Sequence, residues 1–365
     1  MIRVMIVDDS PLVRKIATDI LTEDPEIEVV ATASNAEFAL GKIGKLKPDV
    51  VTMDIEMPGM GGLTAIREIM RNQPTPIVVL SALAKRGAEL TMQALELGAV
   101  DFIPKPTVSL SGGINNIANE LIEKVKHVSK IKVNKKQETK NDIDSLPECR
   151  ENSSLVKNKI NYVSSDEYEI VAIGTSTGGP VALKTVLTEL PENFPIGIVI
   201  VQHMPPIFTE AFANRLNSLC KIKVKEAEDG DLIEPGKVLI SPGDFHMTVT
   251  RYNTRPKVML HKWEPVSGHR PSVDVLMHSV MREYGRKAIG VIMTGMGKDG
   301  AEGLHELKQK GGYIIAQDKE TSAIFGMNGE VVKNGDANEV VPVYDIASRL
   351  IYHTMNQDNV YEKFA

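Results

Sequence analysis

The sequence is poor in cysteine: Cys149 and Cys220 are the only two in 365 residues. That excludes a disulfide framework, and their spacing excludes a structural zinc site, so a reducing compartment is expected. A basic excess is also missing. The formal net charge of -6 argues against a nucleic-acid binder, which needs Lys and Arg to neutralise phosphates. Long apolar runs are absent as well. Stretches such as Ile196 to Val201 are strand-sized and fall far short of the ~20 residues that span a bilayer. Asp8 and Asp9 interrupt the N-terminus before the apolar region of a signal peptide can form. A cytoplasmic protein with no membrane insertion is the expectation.

What is present is the composition of an ordinary globular protein, 42% hydrophobic and 25% charged, in a chain long enough for two domains. Short aliphatic runs at Ile2 to Val7, Glu28 to Ala31, Val50 to Met53, Ile77 to Leu80 and Val100 to Ile103 read as strands. Helical patterns lie around 11–22, 36–45, 61–71, 87–97 and 114–128, with Gly98 as a stop. Such βα units imply a parallel sheet covered on both faces. The tract 132–160 differs: 12 of its 29 residues are charged and none is aromatic, which predicts a flexible linker. From Tyr168 the alternation resumes, with strands at 169–173, 196–201, 288–293 and 313–316 and helices at 180–190, 207–219, 272–284 and 300–310. Between them, 237–241, 246–251 and 256–261 read as short antiparallel strands joined by Pro, Gly and Asn turns. The expected architecture is α/β throughout: a first domain over 1–125, a polar linker over 126–167, a doubly wound, mostly parallel second domain with a β-hairpin insertion over 168–355, and a tail over 356–365.

In the first domain Asp8 and Asp9 end strand one, Asp54 ends strand three, Ser81 follows strand four and Lys105 follows strand five. A parallel sheet brings all of them to its carboxyl edge. With strand order 2-1-3-4-5, the crevice falls between strands one and three. Carboxylates gathered there repel one another and need a cation; oxygen-only ligands favour Mg²⁺. The metal and Lys105 would neutralise a phosphoryl group on Asp54, and Ser81 could hydrogen-bond one of its oxygens. DD, DIEMPGMGG, S-A and K-P in this order resemble the response-regulator receiver domains, a flavodoxin-like (βα)5 fold, over residues 1–125. That resemblance implies Asp54 as phospho-acceptor, Mg²⁺ organised by Asp8, Asp9 and Asp54, Ser81 and Lys105 as phosphate sensors, and a cis Lys105–Pro106 peptide. Phe102 stands where the family often has an aromatic that rotates on activation; a packed strand residue is the competing reading.

Residues 174–179 read GTSTGG between a strand and a helix. A Gly-x-Ser-x-Gly turn in that setting exposes a serine hydroxyl at the sheet's carboxyl edge, next to unpaired helix N–H groups. Neither the GxGxxG spacing of a dinucleotide site nor a Walker GK[ST] ending is present. His203 follows the strand 196–201, and Asp299 follows the strand 288–293. Serine, imidazole and carboxylate at three neighbouring strand ends are what a nucleophile, a base and its orienting group require. Their Ser–His–Asp chain order differs from that of α/β-hydrolases, so a different fold is expected to carry convergent chemistry. The remaining histidines lack zinc-ligand spacing, and no cofactor is expected in this domain. His246 and Asp244 read as structural or pocket-lining, and Ser272 as a helix cap.

GTSTGG, QHMP, SPGDFHM, PSVDVL and TGMGKDGAEGL resemble the catalytic domain of the CheB protein-glutamate methylesterases over about 168–350. The resemblance implies Ser176 as nucleophile, His203 as base, Asp299 as orienting carboxylate, and Thr177 with the Met296 N–H in the oxyanion region. It further implies a phosphorylation-activated esterase of sensory adaptation in chemotaxis. Such an enzyme hydrolyses glutamate methyl esters on chemoreceptors, releases methanol and deamidates receptor glutamines. Methylated chemoreceptors and a chemotaxis histidine kinase would be its partners. A phosphorylation-controlled transcription factor would need a basic DNA-reading module, which the charge opposes. A non-catalytic adaptor would not need all three triad residue types.

Overall fold

The computed structural model describes residues 1–105, 114–131, 133, 163–164, 167–252 and 255–356. The tract 132–160 and the tail beyond 356 lie almost wholly outside these, as do Cys149 and Pro106, so the linker and the Lys105–Pro106 peptide are not described.

Strands β1 (Ile2–Val7), β2 (Ile27–Ala33), β3 (Val50–Asp54), β4 (Ile77–Ser81) and β5 (Asp101–Pro104) form a sheet in the order β2-β1-β3-β4-β5. Every pairing in it is parallel. Every residue of β3 and β4 is buried, as expected for central strands with helices on both faces. The helices are α1 (Pro11–Thr22), α2 (Ala36–Leu46), α3 (Gly62–Asn72), α4 (Lys85–Leu97) and α5 (Ile114–Val128). Ser10 caps α1 by accepting from the Val13 N–H, with Pro11 supplying the pre-set first turn. Gly98 ends α4 in the left-handed region at φ 116°. In α5, Leu121, Val125 and Val128 all pack into the core built on Val4 and Ile6. The domain edge expected at 125 therefore falls inside a helix whose last turn still belongs to the first core.

A two-residue strand β6 (Val163–Ser164) precedes the second sheet and pairs with a terminal β16 (Met355–Asn356), which ties part of the expected linker to the start of the expected tail. The second sheet contains β7 (Ile170–Thr175), β8 (Gly197–Gln202), β9 (Lys223–Glu226), β10 (Lys237–Ile240), β13 (Ala288–Ile292), β14 (Tyr313–Gln317) and β15 (Glu339–Val341). Their order is β15-β14-β13-β7-β8-β10-β9, again with parallel pairings. Around it lie α6 (Gly179–Leu187), α7 (Phe208–Leu219), α8 (Val273–Tyr284), α9 (Ala301–Gln309), α10 (Met327–Lys333) and α11 (Val343–Thr354). The insertion is the antiparallel hairpin β11 (His246–Tyr252) and β12 (Arg255–His261). One expectation fails. Residues 237–240 are not antiparallel; they form an interior parallel strand between β8 and β9, with Val238, Leu239 and Ile240 all buried.

Strand order reverses beside β7: the chain runs outward to β8 on one side and later to β13 on the other. The crevice outside the carboxyl ends at such a point is where doubly wound sheets place ligands. The register aligns those ends, with Gly174 opposite Ile292 of β13 and Val201 of β8. The two halves meet through α4, which packs on α7 and α6. Across this contact the Glu96 carboxylate accepts from Arg215 Nε at 2.8 Å and Nη2 at 2.7 Å. Phe102 stacks on Phe208 with ring centroids 4.5 Å apart.

Candidate active site

The segment after β7 turns sharply into α6. Gly178 takes φ 76°, and a Cβ there would stand 2.5 Å from Ala323 Cβ, so only glycine fits. The turn is tied from both sides: the Ser176 N–H donates to Thr294 O at 3.0 Å, and Ser176 O accepts from Gly179 N at 2.8 Å and Gln202 Nε2 at 3.0 Å. Gln202, the last residue of β8, thus braces the serine loop. Sequence reasoning passed over it, although its place in QHMPP beside His203 was visible.

His203 enters from the neighbouring strand end, its N–H bonded to Thr175 O at 3.2 Å. Its Nε2 donates to Asp299 Oδ2 at 2.8 Å, and its ring stacks on His269 with centroids 3.9 Å apart. Nδ1 is buried without a hydrogen-bond partner. The Ser176 hydroxyl makes no hydrogen bond to it among the described residues. The structure therefore joins imidazole and carboxylate directly and leaves the serine on the adjoining loop. Burial alone would push the Asp299 carboxyl up, but the His203 hydrogen bond and charge, with the Val273 and Asp274 amides, hold it well below the usual carboxylate range. His269 goes the other way: burial and the charge of His203 press its imidazole down to about 4, so it stands neutral beside His203.

The Thr177 hydroxyl does not face an open cleft. It donates to Asp101 Oδ2 of β5 at 2.6 Å, and Lys124 Nζ of α5 lies 3.2 Å from the same carboxylate oxygen. The Met296 amide makes no hydrogen bond among the described residues. His246 is fully buried, and Ser272 caps α8 by accepting from the Val275 N–H at 3.4 Å. Asp244 is engaged by the Arg270 guanidinium, which also donates to Trp263 O at 2.9 Å.

In the first sheet's crevice, Asp8, Asp9 and Asp54 present carboxylate oxygens within 4.8 Å of one another. Lys105 Nζ lies 2.9 Å from Asp8 Oδ2 and 2.7 Å from Asp54 Oδ2. Burial pushes the Asp54 carboxyl up to about 6, with Lys105 opposing and Asp8 adding repulsion. Burial lowers Lys105, yet its bonds to Asp54 and Asp8 win and raise it. A clustered, oxygen-only set of this kind fits a small hard dication. The Ser81 hydroxyl, expected to bond a phosphoryl oxygen on Asp54, accepts here from Thr91 Oγ1 at 2.8 Å and donates to Gly87 O at 3.2 Å, so α4 and its N-terminal turn hold it in the unphosphorylated crevice.

Comparison with known proteins bears on both halves. Residues 171–350 match the CheB methylesterase family, and residues 4–110 match the response regulator receiver domain. A Pyrococcus abyssi protein named protein-glutamate methylesterase/protein-glutamine glutaminase is 43% identical across 96% of this chain and 93% of its own length. One of the same name from Sulfurimonas denitrificans is 45% identical across 94% of this chain and 96% of its own. The chain belongs to the CheB methylesterase family. The crystal structure of the Thermotoga maritima CheB methylesterase catalytic domain resembles the second half, with 46% identity and a TM-score of 0.50, covering 51% of this chain and 98% of that one. As a CheB family member the chain couples a receiver domain to an α/β catalytic domain, and Asp101 and Phe102 are where the receiver touches the serine loop and α7. Among the described residues no helix is long and apolar enough to cross a membrane.

Proposed function

We propose that this CheB protein hydrolyses γ-methyl esters of glutamyl side chains on chemoreceptor cytoplasmic segments, releasing methanol, and deamidates glutamines there. Ser176 is the nucleophile, His203 the base and Asp299 the orienting carboxylate. The observation that carries this is the His203 ring: Asp299 occupies Nε2, which fixes the proton there and leaves Nδ1, buried and unpartnered, as the acceptor for the serine proton. Closing that bond requires the Ser176 hydroxyl to turn toward Nδ1, a tightening that substrate binding commonly brings. Asp299 stays ionised and stabilises the imidazolium as the tetrahedral oxyanion forms. The Met296 N–H, and Thr177 once released from Asp101, would serve as donors to that oxyanion. Methanol or ammonia leaves with the proton returned by His203, and water resolves the acyl-enzyme.

The receiver controls access. Asp54 accepts a phosphoryl group from a chemotaxis histidine kinase. Asp8, Asp9 and Asp54 would hold Mg²⁺, which neutralises the incoming phosphate when bound. Lys105 then exchanges its carboxylate partner for a phosphate oxygen, and Ser81 must leave Thr91 to do the same. Movement of β5 and α4 loosens the Asp101–Thr177 and Glu96–Arg215 contacts. A half-open pocket of about 640 Å³ runs along this interface, lined by Met92, Glu96, Val181, Arg215 and Tyr344. The working site is the cytoplasm, where receptor signalling segments lie. Methanol release from methylated receptor membranes, with and without acetyl phosphate, tests the reading: wild type responds to the phosphodonor and Ser176→Ala releases none. Unchanged release by Ser176→Ala refutes it.

A further inference from the structure

The carboxylate of Asp299 is held by more than His203. Its Oδ1 accepts from Ser272 Oγ at 2.8 Å and from the Asp274 N–H at 3.1 Å, while Oδ2 accepts from the Val273 N–H at 2.7 Å in addition to the imidazole. The whole acceptor capacity of the group is used, and three of the four donors come from the first turn of α8, where unpaired amides and the helix dipole favour an anion. The arrangement is reciprocal. Asp274, in that same turn, accepts from the Gly303 N–H of α9 at 2.8 Å, and α9 is the helix that Asp299 itself precedes. Each of two packed helices therefore offers its N-terminal amides to a carboxylate belonging to the other.

The fit between them is close. A Cβ on Gly174 or on Gly300 would stand 2.3 Å and 2.5 Å from Val273 Cγ1, and one on Gly303 would stand 2.6 Å from Met277 Cβ. Gly174 leads into the Ser176 loop and Gly300 follows Asp299, so Val273 is wedged between two of the reactive loops. Behind Ser272 lies His246, whose Nδ1 accepts the Ser272 N–H at 3.2 Å and whose Nε2 donates to Glu264 O at 3.1 Å.

Building on the catalytic reading above, we infer that Ser272 is a positioning residue for the reaction. Its hydroxyl fixes the plane of the Asp299 carboxylate, and through it the direction in which His203 Nδ1 points. Capping α8 is its second task, and the two are separable by substitution. Glycine at an N-cap is tolerated at a cost of a few tenths of a kcal/mol but donates nothing. Threonine caps and donates. Cysteine is nearly isosteric with serine and a weak donor.

The test uses full-length protein activated with acetyl phosphate, methylated receptor membranes for steady-state rates, and a fluorophosphonate probe for the labelling rate of Ser176. A lost hydrogen bond to a charged group predicts a fall in kcat of about 10- to 100-fold for Ser272→Gly, with KM within about twofold. Labelling should slow in parallel, and Ser272→Thr should recover most of the rate. Ser272→Cys should fall between serine and glycine, and this variant decides the matter if the glycine variant does not fold. A purely structural role predicts instead losses that follow the unfolded fraction and no ordering by donor strength. That outcome, or wild-type kcat in Ser272→Gly, overturns the inference. If Ser176→Ala still releases methanol, the catalytic reading and this inference fall together; if it is inactive while Ser272→Gly is unaffected, only the inference falls.

Discussion

Replacing Asp54 by asparagine should stabilise the receiver, by an amount the crevice itself sets. Asp54 is 1% exposed and its carboxyl is pushed up to about 6 from an ordinary 3.8, mainly by burial. Between those values the folded state binds more protons than the unfolded chain, so stability falls as pH rises through the window, and the full cost is present above about pH 6. At about 1.4 kcal/mol per pKa unit, the ionised carboxylate costs about 3 kcal/mol at neutral pH. Asparagine removes that charge at constant shape, although Lys105 then keeps only Asp8 as its close partner. A net gain of about 1–3 kcal/mol is expected at pH 7.5. Urea unfolding of the full-length protein without Mg²⁺, followed through the receiver transition from pH 4.5 to 7.5, measures it. The gap between variant and wild type should shrink steadily toward acid, and saturating Mg²⁺ should narrow it at pH 7.5 by stabilising the wild-type site. A variant no more stable than wild type at pH 7.5, or a gap independent of pH, refutes the reasoning.

Asp299→Asn should lower kcat for methanol release on the order of 10³- to 10⁴-fold, since an amide cannot hold the proton on His203 Nε2; steady-state rates on methylated receptor membranes check it, and a loss below tenfold contradicts the assigned role. Asp101→Ala frees the Thr177 hydroxyl and should raise methanol release without phosphodonor about 10-fold while leaving the acetyl phosphate maximum unchanged. Gly174→Ala forces a Cβ to within 2.3 Å of Val273 Cγ1 and should destabilise the catalytic domain by about 1–3 kcal/mol, seen as a lower thermal midpoint.

The proposed site positions were legible as a group because each follows an aliphatic run, and in a parallel sheet that alone sends Asp8, Asp54, Ser176, His203 and Asp299 to carboxyl edges. The (βα)5 order of the receiver followed from the same regularity. Legibility failed where local chemistry had two readings. Residues 237–240 sit among Pro and Gly turns and so suggested a meander, yet an unbroken apolar run of Val238 to Ile240 is also the mark of a strand covered on both faces. Strand β9 carries three charged residues in Lys223–Glu226 and lies at the sheet edge, which hides it from a hydrophobic pattern. The elements α10, β15 and α11 went unread beyond residue 316. No sequence rule aims a hydroxyl, and Ser81 turns toward Thr91 because α4 offers it partners. Nor does periodicity say that a cap such as Ser272 spends its proton on a carboxylate 27 positions away.

The proposed site of the second sheet lies beyond its three middle strands, β13, β7 and β8, while β15 and β9 form its margins. Bends leading to those margins include Gly230 and Gly335, around which an added Cβ would meet nothing within 4 Å. Positive φ at both, 86° and 77°, keeps glycine in place, but the open space around them leaves room for an affinity handle inserted beside either one. Both turns belong to the catalytic half, so a handle at either one marks that half alone, and following the two halves apart takes a second label on the receiver.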